Sequence, residues 1–144
     1  AALLRNVGEL FHEQDGVQIT LQLEGQELII YADRNQVLRV FNNLVKNAIQ
    51  AIPEEQEGAI IIGARKEGER ILCYVQDNGK GIADSFKDQV FVPNFTTKSS
   101  GMGIGLALSK SIIESAGGSI WFESQEGEGT TFYVAFPASS EDQP

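Results

Sequence analysis

Residues 59–76, "AIIIGARKEGERILCYVQ", constrain the fold more than any other stretch. Two runs rich in β-branched and aromatic residues flank a turn at Glu67-Gly68, which predicts a hairpin. The second run is apolar on both faces, whereas a strand with one wet face would alternate. It therefore belongs in the middle of a sheet, and it ends abruptly at "DNGKGI", residues 77–82.

The flanking sequence supplies the remaining elements. "VQITLQL" (Val17–Leu23) alternates at period two and predicts a strand, and "ELIIYA" predicts another after a turn at Gly25. Asp33 with Gln36 three residues on forms a capping-box start. Behind it, Val37, Phe41, Leu44, Ala48 and Ile52 lie at helical spacing until Pro53 stops the helix. Leu3 to Phe11 reads as a short helix, as does "ADSFKDQVF". "IGLALSKSIIESAGG" predicts a helix with Leu108, Ile112 and Ala116 inward and a stop at Gly117. "SIWFES" and "TTFYVAF" form a last hairpin. Helices and strands are segregated, so the expected fold class is α+β: a two-layer sandwich with helices on one face of a mixed, mainly antiparallel sheet.

Composition narrows the function. With 144 residues, one domain is expected to bury about 70% of its unfolded surface. A net charge of −9 argues against a nucleic-acid or anionic-membrane surface, since both need clustered Lys and Arg. One cysteine, Cys73, excludes an internal disulfide and sits in an apolar run as a core residue. No apolar run nears the roughly 20 residues of a membrane span. The chain opens on "AALLRN" without Met, so we expect a piece of something longer: a linker remnant over 1–16, one domain over 17–137 and a frayed tail over 138–144.

Four segments carry chemistry. In "NNLVKNAIQAI", Asn43 and Asn47 stand one turn apart beside the apolar stripe. A solvated face explains them, and so does a hard cation such as Mg²⁺, which takes few protein ligands and keeps waters and phosphate oxygens. In "DNGKGI", Asp-x-Gly-x-Gly reads as a turn; alternatively, a carboxylate closing a buried strand is costly unless paired and suits the exocyclic amine of adenine. "SSGMGIGL" places Gly101, Gly103 and Gly105 directly before a helix, where N–H groups and the helix terminus favour a polyphosphate. "FVPNFTTK" (Phe91–Lys98) is an ordinary surface loop or a lid over that phosphate site.

In this order the four segments resemble the catalytic ATP-binding domains of sensor histidine kinases, within the GHKL ATPase superfamily. "NLVKNA" resembles the N box, "DNGKGI" the first glycine box, "FVPNFTTK" the F box and "GMGIGLAL" the second glycine box. The resemblance covers about residues 17–137 and implies a Bergerat-type fold with ATP and Mg²⁺ as cofactors. It implies that Asn47 ligates Mg²⁺ and that Asn43 contacts the phosphates or the metal's waters. Asp77 would bind the adenine amine, with Gly79, Gly81 and Ile82 around the base and Thr130 near it. Lys98 and the N–H groups of Gly101, Gly103 and Gly105 would hold phosphates, and Phe95, Thr96, Thr97, Met102, Ile104 and Leu106 would border the nucleotide. Many kinases of this family carry a basic residue where this chain has Gln50, so more weight falls on Lys98.

The resemblance also implies the reaction. Hydrolysing members of the superfamily typically carry a Glu where this chain has Asn43, and an amide is no general base at neutral pH. Phosphoryl transfer is therefore expected, with Asn43 and Lys98 as the catalytic residues and a His on an upstream dimerisation domain as acceptor. His12 in "LFHEQDG" lacks the acceptor's context and is read as a surface residue. Implied partners are ATP, the dimerisation domain and a response regulator, with no nucleic acid and no direct membrane contact. The isolated domain is expected to be monomeric and its parent dimeric. The domain is expected in the cytoplasm, whether or not the parent is membrane-anchored. A GHKL serine kinase or hydrolase and a non-catalytic nucleotide-sensing module are the alternatives.

Overall fold

The computed structural model describes residues 17–23, 34–92 and 102–137. Among these residues, five strands form one sheet in the order β1-β2-β3-β5-β4. They are β1 (Val17–Leu23), β2 (Gly58–Glu67), β3 (Arg70–Asp77), β4 (Ser119–Gln125) and β5 (Gly129–Pro137). β1 runs parallel to β2, and every other pairing is antiparallel. A parallel pair needs a crossover, and helix α1 (Arg34–Ala51) lies on that connection. β3 is central, as its apolar sequence requires, with β2 on one side and β5 on the other.

The core lies between the helices and one sheet face. Helix α1 contributes Val37, Val40, Phe41, Leu44, Val45 and Ala48. The inward positions of the central strands, Ile60, Ile62, Ile71, Cys73, Val75, Phe132, Val134 and Phe136, meet them at the period of two that a strand imposes. Burial pushes the Cys73 thiol up to about 12, so it is an inert core residue. Helix α2 (Met102–Ser115) closes the layer with Leu106 and Ile113. Among the described residues, no helix is long and apolar enough to cross a membrane.

Three details differ from the sequence reading. The β2–β3 turn falls at Gly68-Glu69, one residue later than expected, because Gly68 supplies the positive φ of 60°. "ADSFKDQVF" forms a 3-10 helix over Asp84–Gln89. On α2, Leu108 points out and is 44% exposed, whereas Leu106, Ser109 and Ile113 are buried. Several faces of this helix are apolar, so periodicity alone did not choose the face. The small, fully buried Ser109 marks the side that packs inward. The stop at Gly117 holds: its φ is +80°, Gly118 N–H donates to Ile113 C=O (2.9 Å) and Gly117 N–H to Glu114 C=O (3.0 Å), a Schellman ending. The expected Leu3–Phe11 helix, the "ELIIYA" strand, the Asp33 cap, His12 and the tail lie outside the described residues.

Candidate functional site

β3 delivers Asp77 to the end of the sheet, directly opposite Thr130 on β5. Residues paired across two strands project to the same face, and both side chains are buried, at 6% and 5% exposure. Asp77 Oδ1 accepts the Gly79 N–H at 2.8 Å, an Asx-turn that bends the chain out of the strand. Burial raises the Asp77 carboxyl to about 6, against the opposing pull of hydrogen bonds from the Gly79 and Thr130 backbone N–H groups. An ionised carboxylate has about four acceptor positions, so capacity for a donor remains. At neutral pH it is a buried, charged acceptor at the end of a central strand.

The loop that follows is fastened on three sides. Lys80 N–H donates to Ala51 C=O at 2.9 Å, satisfying a carbonyl that the end of α1 leaves without an intrahelical partner. Gly127 N–H donates to Lys80 C=O at 2.7 Å. Asn78 staples the loop to β2: its Oδ1 accepts the Ala59 N–H (2.9 Å) and its Nδ2 donates to Glu57 C=O (3.1 Å). This backbone crowding explains the two glycines. A Cβ on Gly79 would meet Ala51 O at 2.5 Å, and one on Gly81, whose φ is +73°, would meet Gln125 O at 2.3 Å. Both glycines are required here by packing against α1 and the β4–β5 turn.

Behind Asp77 runs a hydroxyl network. Ser124 Oγ accepts the Ile82 N–H (2.8 Å), lies 2.8 Å from Thr130 Oγ1 and donates to Gly129 C=O (3.0 Å). Its backbone carbonyl accepts from Lys87 Nζ (2.8 Å), which also pairs with Asp84. Ser124 thus joins the glycine loop, the 3-10 helix and β5.

Asn43 and Asn47 lie on α1, both half-buried. Among the described residues, the buried atoms Asn47 Nδ2 and Asn42 Oδ1 have no hydrogen-bond partner. Buried amides seldom stay unpaired, and the unmet Nδ2 of Asn47 is a donor with capacity for an acceptor. Helix α2 begins at Met102, so Gly103 and Gly105 lie inside its first turn rather than ahead of it. Leu106 is fully buried and belongs to the core. Phe91, at the start of the candidate lid, is anchored against Phe122 (6.0 Å between centroids) and Phe132 (6.4 Å), with Lys110 Nζ 5.4 Å over its ring. Phe95, Thr96, Thr97, Lys98 and Gly101 lie outside the described residues, as do the side chains of Met102 and Ile104.

The structure therefore brings Asp77, Gly79, Gly81, Ile82 and Thr130 together and leaves an incompletely satisfied amide on α1. A family model described as histidine kinase-, DNA gyrase B-, and HSP90-like ATPase matches residues 32–140. The chain belongs to this ATPase family. The resemblance carried by the four motifs is thus borne out. This ATPase domain is 44% identical over 110 residues to the sensor histidine kinase ZraS of Escherichia coli K12, covering 76% of this chain and 23% of that protein. It is 36% identical over 129 residues to the sensor protein FixL of Bradyrhizobium diazoefficiens, covering 89% of this chain and 26% of that protein. The chain spans about a quarter of the length of these curated relatives. Among solved structures, the nucleotide-free catalytic domain of histidine kinase ThkA matches with a TM-score of 0.84 and 34% identity, covering 94% of this chain and 90% of that one. The α+β sandwich is accordingly the fold of a histidine kinase catalytic domain.

Sequence reasoning missed Ser124 and Asn78. Asn78 passes for an ordinary turn residue in "DNG". Ser124 reaches a partner 42 residues away, which no local pattern reveals.

Proposed function

We propose that this chain is the ATP-binding catalytic domain of a two-component sensor histidine kinase, transferring the γ-phosphoryl group of ATP to a His on a separate dimerisation domain. The observation that carries this reading is Asp77: a buried carboxylate, pinned by the Gly79 N–H, at the end of the central strand of a histidine-kinase-type fold. Beside its backbone donors Gly79 and Thr130 the carboxylate keeps room for a donor that arrives with the ligand, and the adenine amine is such a donor. Gly79, Gly81 and Ile82 fix the loop beside it. The first turn of α2 directs backbone N–H groups and its positive dipole end toward phosphate, with Lys98 from the lid as a cation.

Mg²⁺ fits the residues present. Asn47 would hold it through Oδ1, since amide oxygens suit hard cations, while its buried Nδ2, which has no partner among the described residues, would donate to a phosphate oxygen. Among the described residues no cluster of three or more His, Cys, Asp or Glu could hold a metal. The cation would enter with the nucleotide, its charge met by phosphate oxygens. When bound, it supplies charge neutralisation on the phosphates. Asn43 orients the phosphates and cannot deprotonate water, so transfer to a positioned side chain is favoured over hydrolysis.

The same reading makes 17–137 the catalytic unit of a dimeric, cytoplasmic kinase module that passes its phosphoryl group to a response regulator. ThkA has been solved with the response regulator protein TrrA, and this chain is 30% identical to that kinase with a TM-score of 0.79. The test is transfer from labelled ATP to the parent's dimerisation domain supplied in trans. An acid-labile phosphohistidine is expected. An acid-stable product would assign a serine kinase, and no transfer despite ATP binding would assign a nucleotide-sensing module.

A further inference from the structure

We infer that Ser124 is a positioning residue for nucleobase selectivity, acting by fixing which way the Thr130 hydroxyl points. The inference rests on the reading of Asp77 and Thr130 as the base end of an ATP site.

A serine hydroxyl has one proton to give and two lone pairs to receive with. Ser124 Oγ has three neighbours: the Ile82 N at 2.8 Å, the Gly129 O at 3.0 Å and the Thr130 Oγ1 at 2.8 Å. The Ile82 N–H can only donate and the Gly129 carbonyl can only accept. Ser124 therefore gives its single proton to Gly129 and takes one from Ile82. Its remaining lone pair leaves Thr130 only one role, that of donor to Ser124. Thr130 then has lone pairs alone for anything beside it. It stands opposite Asp77, on the same face and at 5% exposure, and Asp77 is an acceptor when ionised.

The two side chains thus present acceptors only. An adenine amine satisfies them, directly or through a water. Guanine presents a carbonyl oxygen at the equivalent place, and acceptor facing acceptor leaves buried groups unpaired, which sites of this kind discriminate against strongly. Without Ser124 the Thr130 hydroxyl is free to turn and donate, and the discrimination weakens. Ser124 touches no nucleotide in this account; it acts through Thr130 and through the Ile82 amide.

The experiment compares ATP and GTP binding by calorimetry in the unsubstituted chain, Ser124→Ala, Ser124→Thr and Thr130→Val. Ser124→Ala is expected to lower the preference for ATP over GTP on the order of tenfold, and Ser124→Thr, which keeps the hydroxyl, to restore it. Thr130→Val is expected to show the same loss, and the double variant to be no worse than either single one. An unchanged ATP-to-GTP ratio in a folded Ser124→Ala, with both affinities falling together, would mean a purely structural role and overturn the inference. If Ser124→Ala does not fold, full ATP preference in Thr130→Val overturns it instead. Absence of ATP binding by the unsubstituted chain would overturn the proposed function and this inference with it. ATP binding with an unaltered ratio in the variants overturns the inference alone.

Discussion

The two ends of the proposed nucleotide site are built differently. At the base end, Asp77, Ser124 and Asn78 all find partners within the protein, and two glycines sit where neighbouring backbone leaves no room for a side chain. On α1, Asn47 and Asn42 each keep a buried polar atom without a partner among the described residues. The geometry of the base end is thus fixed by the protein's own hydrogen bonds, with acceptor capacity on Asp77 left for a base, while the buried Nδ2 of Asn47 is left for a ligand to satisfy. Fully satisfied polar networks fix one geometry, and unsatisfied groups store a cost that binding can relieve. Base recognition should therefore be a property of the fold, and metal–phosphate recognition a property of the loaded complex.

The sharpest way to break the contrast is Asp77→Asn. The amide keeps an acceptor for the Gly79 N–H but loses the charge, so ATP affinity should fall on the order of a hundredfold, read by calorimetry. Stability should hold or rise. The carboxyl is raised from 3.8 to about 6 by burial, so its ionised form is the one the fold disfavours, at a cost of roughly 3 kcal/mol at neutral pH. A large loss of stability in a denaturant titration would contradict that reading. Next, Gly81→Ala should lower stability by about 2 kcal/mol, because a positive φ and a carbonyl in the path of the new Cβ both oppose it. A neutral result would mean the base end is not rigid.

Acid comes third. Binding uses ionised Asp77, so ATP affinity should fall as pH drops through about 6, by about tenfold between pH 7.5 and pH 5. The fold's own preference runs the other way: the penalty for ionised Asp77 starts to shrink as pH falls through about 6 and is gone only below 3.8. Affinity independent of pH across this range would remove Asp77 from the base contact. The smallest effect is expected at the other end. Asn47→Leu removes a buried amide nitrogen that has no partner among the described residues, so stability should rise by about 1 kcal/mol or less while the Mg²⁺ dependence of ATP binding is lost. Destabilisation there would show that Asn47 is a satisfied structural residue.

What the sequence made legible follows the range of the interactions involved. β1 was readable residue for residue, and β3 announced its central place through an apolar run that no edge strand would carry. The stop at Gly117 was readable because a Schellman ending is local. The inward face of α2 was not, because Leu108 and Leu106 are equally apolar and only packing against α1 chooses between them. At the site, Asp77 and Thr130 were found by motif. The reason for Gly79 and Gly81 was not, because the backbone that crowds them comes from Ala51 and Gln125, far along the chain. Ser124 was invisible for the same reason.

The most direct test of the central claim is calorimetric titration of this chain with ATP, with and without Mg²⁺, and with Mg²⁺ alone. Saturable ATP binding strengthened by Mg²⁺, with no binding of Mg²⁺ on its own, is the predicted result. No binding up to millimolar ATP would contradict it, and so would a metal site that fills without nucleotide.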